Sequence, residues 1–227
     1  YYNGTGWTEL AEVNTARRLI SGAGASHTSA IAFAGYTTTD VNNTETWDGS
    51  SWSEVNEMTT ARQAVGETGT ATAALAMGGR TNDGTQKDLV ESWDGTNWTE
   101  VNELNTARRQ IAGLGTYTAA FAVNGGPPAS SIVEQWNGST WTETTENNTA
   151  RYAGGACGTV TAGLFFGGTT GSVTGATEDW NGTAWTEVND LSTARKEAAP
   201  SVAGTSTVAL ASGGHTDPAK TGATEEW

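Results

Sequence analysis

Trp180-Asn181-Gly182-Thr183-Ala184-Trp185-Thr186-Glu187, running on through Val188-Asn189-Asp190-Leu191-Ser192 to Thr193-Ala194-Arg195, is the stretch on which the reading of this chain turns. The same pattern, W-[DN]-G-x-x-W-[ST]-E followed by T-A-R, recurs at 47–62, 93–108 and 136–151, with a clipped copy at 2–17 and a last Trp at Trp227. The repeated arginines Arg17, Arg62, Arg108, Arg151 and Arg195 stand 45, 46, 43 and 44 residues apart. A period of that size marks a stacked array such as propeller blades, in which each unit buries its apolar face only against a neighbour.

Strands can be placed within one unit from its pattern. In the second copy, 62–70 leads into the apolar alternation 72–79, which ends in Gly78-Gly79; a polar stretch follows, then 89–93, the turn Asp94-Gly95 and 98–101. This predicts four antiparallel strands per unit. Asp48-Gly49, Asp94-Gly95, Asn137-Gly138 and Asn181-Gly182 supply the positive φ angles of a tight reversal, so the third and fourth strands of each unit are expected to form a hairpin. Asn3, Asn137 and Asn181 also fit the N-glycosylation pattern, as do Asn42, Asn97 and Asn147, but in the first three the turn itself accounts for the Asn.

The 227 residues include 30 Gly and 10 Trp but only 4 Pro, a profile of short strands joined by tight turns, and 1–227 is expected to form one all-β domain of five blades. No apolar run approaches the ~20 residues of a membrane-spanning helix, and residues 1–4 lack the basic and apolar segments of a signal peptide. The 25 acidic residues against 11 basic ones leave a net charge of −14, a field that repels phosphate backbones and anionic lipid, so nucleic acid and membrane are set aside as partners. A single cysteine, Cys157, excludes an intrachain disulfide and reads as a small buried filler rather than a nucleophile.

A strand ending in Gly-Gly (Gly78-Gly79, Gly125-Gly126, Gly167-Gly168, Gly213-Gly214), an aromatic closing the third strand, a Trp in the fourth and an Arg opening the next first strand resembles the kelch repeat of β-propellers. Two features depart from that pattern: the third-strand aromatic is Trp rather than Tyr, and the first copy has Ala34-Gly35 in place of the doublet. The W-D pairs are weaker as WD repeats, because no Gly-His pair stands upstream. Units such as the one opening at Trp180 are also similar to kelch-like repeats in virion proteins of marine bacteriophages. That resemblance implies a five-bladed propeller of four-stranded blades, acting on a virion or outside the cell, as a monomer or within a larger virion assembly.

The chain starts with a fourth-strand unit, 2–10, and finishes with a third strand, 223–227, so the last blade is expected to be closed by the N-terminal strand. Closure removes the exposed sheet edges that promote aggregation. The half-units at the ends also permit the alternative of a segment of a longer array.

Repeated charges read first as structure. The five arginines recur with Glu45, Glu91, Glu134, Glu178 and Glu225, two residues before the third-strand Trp, and with Glu9, Glu54, Glu100, Glu143 and Glu187 in the fourth strand. A glycosidase needs two carboxylates in distinct environments, whereas every unit here carries the same set, as expected if each Arg pairs with a nearby Glu. The expectation is therefore no enzyme and no cofactor. His27 and His215 have no companion at metal-ligand spacing, Gly22-Ala23-Gly24 opens onto a strand rather than a helix N-terminus, and Asp83 and Asp88 lack the dense acidic spacing of a calcium loop.

What varies between copies is the connection after the doublet: 37–43, 80–88, 127–131, 169–175 and 215–222. A rigid scaffold with diversified loops on one side is a usual arrangement for binding. Asp40, Arg80, Asp83, Lys87, Pro128, His215 and Lys220 are the expected contacts, placed around a central channel in which Gly69, Gly115, Gly158 and Gly204 leave room. Their mixed charge suits a neutral polar partner, a glycan or a protein surface, better than an anion. A ligand-free spacer or engineered repeat scaffold is the first alternative, and a propeller enzyme of the galactose-oxidase or sialidase type a weaker one, because neither a Cys–Tyr copper centre with His ligands nor an Arg cluster outside the one-per-blade pattern can be assembled.

Overall fold

The computed structural model describes residues 3–201 and 204–227. The chain is an all-β, five-bladed β-propeller. Blade 1 consists of β1 (Ser21–Ser26), β2 (Ser29–Phe33), β3 (Thr44–Trp47) and β4 (Trp52–Glu54), and blade 2 of β5 (Gly66–Thr70), β6 (Ala73–Met77), β7 (Val90–Trp93) and β8 (Trp98–Val101). Blade 3 follows with β9 (Ala112–Thr116), β10 (Ala119–Gly125), β11 (Ser130–Trp136) and β12 (Trp141–Glu143), and blade 4 with β13 (Gly155–Thr159), β14 (Ala162–Phe166), β15 (Thr177–Trp180) and β16 (Trp185–Glu187). In blade 5 the described strands are β17 (Ala199–Pro200), β18 (Leu210–Ser212) and β19 (Thr224–Glu226). Each sheet follows chain order, and every pairing is antiparallel.

The third and fourth strands form the expected hairpin, with Trp47 opposite Trp52, Trp93 opposite Trp98, Trp136 opposite Trp141 and Trp180 opposite Trp185. The turn works differently from the expectation. Only its Gly has positive φ, as at Gly49 (97°) and Gly95 (95°), and the preceding Asp or Asn acts through its side chain. Asp48 Oδ1 accepts the N–H groups of Ser50 and Ser51 at 2.8 Å, and Asn181 Oδ1 accepts those of Thr183 and Ala184 at 3.0 Å. This is a four-residue loop capped by an Asx side chain, so Asp and Asn are interchangeable there. Asn3 caps its own turn in the same way.

The doublet also shifts in one copy. Positive φ falls on Ala34-Gly35, Gly78-Gly79, Asn124-Gly125, Gly167-Gly168 and Gly213-Gly214, so blade 3 uses Asn124-Gly125 where Gly125-Gly126 was expected. The second residue sends its N–H to the carbonyl of the next repeat's Arg, for example Gly79 to Arg108 at 3.0 Å and Gly168 to Arg195 at 2.9 Å. A Cβ on Gly168 would sit 2.7 Å from the Tyr152 carbonyl, which explains glycine at that point.

The core lies between blades. Trp93 and Trp98 pack on Ile31 and Phe33 of blade 1, Trp136 and Trp141 on Leu75, Met77 and Val90 of blade 2, and Trp180 and Trp185 on Leu114, Phe121 and Val133 of blade 3. The indole N–H of the third-strand Trp reaches the carbonyl of the first hairpin's turn, as from Trp93 to Ala71 at 3.0 Å, a bond Tyr at that position would have to make from a different place. At the blade 4–5 junction Leu164 and Phe166 meet Ala209 and Ala211 without a tryptophan pair, and a cleft of about 350 Å³ opens beside Leu191 and Trp227. The N-terminal unit supplies a bridge residue at Trp7, but Trp7 is 58% exposed, and Tyr2, where the expected fourth strand would start, lies outside the described residues.

Candidate binding face and central channel

Two residues after each repeated Arg stands one residue with left-handed backbone: Leu19 (φ 53°), Ala64 (54°), Gln110 (51°), Ala153 (57°) and Glu197 (56°). None is glycine, so each conformation costs strain and must be held by its surroundings. What holds them is each other. Ala64 N–H donates to the Leu19 carbonyl at 3.4 Å, Gln110 to Ala64 at 2.9 Å, Ala153 to Gln110 at 3.1 Å and Glu197 to Ala153 at 2.7 Å. The five residues form a collar at the end of the channel where the first strands begin.

The variable loops rise from just outside this collar. Their bases bridge the residue that follows each repeated Arg: Tyr36 pairs with Arg18, Arg80 with Gln63, Thr169 with Tyr152 and His215 with Lys196, while Gly126 N–H donates to the Arg109 carbonyl. All five loops therefore share one end of the propeller, and the hairpin turns occupy the other.

Several expected contact residues are occupied within the protein. Asp40 accepts from Gln63 Nε2 at 2.7 Å, tying a blade 1 loop to blade 2, and Arg80 donates to Gln63 Oε1 at 3.4 Å. Asp83 accepts the Thr85 N–H and the Thr81 hydroxyl, and these bonds hold its carboxyl at about 2. His215 Nδ1 lies 2.8 Å from Asp217, which also pairs with Lys196 at 3.1 Å. Lys87 and Lys220 are positioned by backbone bonds at their loop bases, and the Pro127 carbonyl beside Pro128 accepts from Gln86.

None of these seven residues lines the concavity inside the collar, a channel mouth of about 460 Å³ walled by the first strands of all five blades. Gly69, Gly115, Gly158 and Gly204 do not line it either. The first three sit at the far ends of their strands with φ of 112°, 99° and 107°, where the chain turns toward the second strand. The room comes instead from Gly22, Gly113, Gly154 and Gly155 at the near ends.

Four polar residues at the mouth were not expected: Ser21, Glu67, Gln110 and Glu197. Glu67 projects from β5 at the position held by Gly22, Gly113, Ala156 and Pro200 in the other blades. Burial pushes its carboxyl up to about 8, opposed only in part by the Ser21 hydroxyl. Gln110 and Glu197 belong to the collar, and Gln110 Nε2 donates to Glu197 Oε1 at 3.3 Å, a bond between blades 3 and 5 that passes over blade 4. Aligning the copies at the fifth residue after each Arg would have exposed Glu67 as the odd member of G, E, G, A, P.

The repeated carboxylates have one structural role. Arg17, Arg62, Arg108 and Arg151 pair with Glu45, Glu91, Glu134 and Glu178, and Arg195 with Glu225, each time with the third-strand Glu. The other carboxylate oxygen accepts a backbone N–H from the linker ahead of the Arg, from Thr59 to Glu91 and from Asn105 to Glu134 at 2.7 Å. Burial lowers the pKa of Arg62, Arg108 and Arg151, opposed by the paired glutamates. For Glu45 burial acts toward a higher pKa, but bonds from Arg17 and Asn14 outweigh it and leave the group lowered. Among the described residues no group of three His, Cys, Asp or Glu is placed to hold a metal ion, and no helix is long and apolar enough to cross a membrane.

No protein family and no curated protein matches the sequence. A solved structure titled "Structure of YjhT" superposes with a TM-score of 0.81 over 96% of this chain and 84% of that one, at 14% sequence identity. A likeness at that identity establishes the propeller fold alone.

Proposed function

We propose that this protein is a non-enzymatic binding module of kelch-like repeats that uses the loop-bearing end of the propeller to hold a glycan or a protein partner. The observation that carries the reading is the asymmetry between the two ends. The hairpin turns repeat one chemistry in four blades and Asn3 caps a fifth turn in the same way, whereas five dissimilar loops are seated on one collar, so each blade offers a different contact around a common mouth. The buried Arg–Glu pairs argue against acid–base chemistry, because each carboxylate is already engaged by a guanidinium and a backbone N–H. A place on a phage virion, as suggested by the repeat sequence, belongs to the same proposal.

The test is a glycan array and a panel of bacterial surface extracts, probed with the parent protein and with a variant whose five loops are replaced by Gly-Ser. Signal from the parent alone supports recognition by the loops. Equal signal from both, or none from either, favours a structural spacer, a reading consistent with the internal bonds of Asp40, Arg80 and Asp83.

A further inference from the structure

The channel mouth differs from the rest of the molecule in its balance of charge. Every buried guanidinium in the repeat has a carboxylate partner, but Glu67 faces the channel with no cation beside it. The groups packed around it from neighbouring strands are Ser21 of β1, Ala76 of β6 and Gly113 of β9, none of which titrates. Across the mouth, Ala156 and Pro200 add no charge, and Glu197 is the other ionisable residue of the lining. Among the described residues, no Lys or Arg lines this concavity.

The side chains converging there offer more acceptors than donors. Glu67 and Glu197 bring carboxyl oxygens, the Ser21 hydroxyl gives its proton to the Val65 carbonyl at 2.7 Å, and Gln110 gives one amide N–H to Glu197, keeping its carbonyl oxygen and a second N–H. A polyol could use those few donors but would leave the carboxyl groups without a compensating charge, and an anion would meet two carboxyl groups inside a protein of net charge −14. A donor-only, positively charged group meets both conditions. The cavity, about 460 Å³ with walls of Gly and Ala, has room for a short alkyl chain behind such a group.

We infer that the channel mouth is a binding site for a small organic cation bearing a primary ammonium group, which is held by Glu67 within the channel and by Glu197 at the rim. This goes beyond loop recognition of a glycan or protein and can fail independently of it. Binding is coupled to a proton. The empty site keeps the Glu67 carboxyl protonated below about pH 8, and an ammonium ion favours the carboxylate, so occupation releases that proton. Affinity therefore rises with pH, roughly tenfold per unit up to about pH 8, and levels off above it.

The experiment is calorimetric titration of the full chain with n-butylammonium chloride at about pH 6 and about pH 8.5, in buffers of different ionisation heat, with n-butanol as the uncharged control. Expected are saturable binding, roughly fifty- to hundredfold tighter at the higher pH, release of close to one proton near neutrality, and no saturable binding of n-butanol. Glu67→Gln should abolish the pH dependence and weaken binding at least tenfold, and Glu197→Gln should weaken it while preserving the proton release. The Glu197 variant and the proton count keep the test decisive if Glu67→Gln folds poorly. Equal binding of n-butanol, absence of saturable heat at both pH values, no proton release, or unchanged affinity in a folded Glu67→Gln protein would overturn the assignment.

Discussion

Trp98 of blade 2 donates its indole N–H to the Thr44 hydroxyl of blade 1 at 2.9 Å, a hydrogen bond set within the apolar cluster of that junction. Val90 and Val133 hold the position of Thr44 in the next two blades, and the indole N–H groups of Trp141 and Trp185 find no partner there. The same fold thus contains a satisfied and an unsatisfied version of one contact.

Exchanging the two versions should change stability by unequal amounts. Thr44→Val is expected to cost about 1–3 kcal/mol by orphaning Trp98. Val133→Thr gives Trp185 a partner at nearly constant volume and should cost much less than burial of a lone hydroxyl, or stabilise by up to about 1 kcal/mol. Urea denaturation of both variants decides it, and a larger loss for Val133→Thr than for Thr44→Val would contradict the proposed bond.

The tryptophans themselves are the main interblade packing. Trp98 and Trp141 are 6% and 7% exposed, and replacing either with Ala should destabilise by about 3–5 kcal/mol. Trp7, at 58% exposure, should cost less than about 1 kcal/mol in the same assay.

Arg108 and Glu134 are buried together, so removing one charge is worse than removing both. Glu134→Gln or Arg108→Met alone should cost about 3–5 kcal/mol, while the double replacement recovers part of that loss. A double-mutant cycle showing simple additivity would rule out direct coupling.

Stability should fall at both ends of the pH scale for different reasons. Glu67 has a folded-state pKa near 8 against an ordinary 4.5, so the folded chain binds the proton more tightly and loses stability as pH rises through that window. Glu67→Gln should therefore be more stable than the parent at pH 9, by about 2 kcal/mol because the carboxyl borders a water-accessible channel, with the gap closing toward pH 4. Glu45 and Glu225 have the opposite shift: burial opposes it, but their hydrogen bonds lower both pKa values, so their contribution is lost as pH falls below about 4.5.

Cys157 should resist thiol reagents in the folded protein. It is buried, and desolvation pushes its thiol up to about 11, so little thiolate exists at neutral pH. Labelling that proceeds at the same rate with and without denaturant would contradict this placement.

The blade count, the four-strand unit and the pairing of each Arg with a Glu were legible because they repeat. A feature that must recur in every blade imposes the same residue type at the same phase, and five copies in one chain reveal it. Roles played by backbone were harder to read: the Asx-capped turn, the Asn124-Gly125 doublet and the near-end glycines of the channel depend on φ values and carbonyl positions that residue identity only narrows.

Period, hairpin chemistry and charge pattern were therefore determined by the sequence itself, since each is local or repeats at a fixed spacing. The tertiary structure alone decided which Glu of each pair meets the Arg, because strands 29 residues apart in sequence, such as those flanking Arg62 and Glu91, are brought together only by the curvature of the blade. It alone also gathered Glu67, Gln110 and Glu197 from three blades into one mouth, because ring closure turns positions that are remote along the chain into neighbours around an axis.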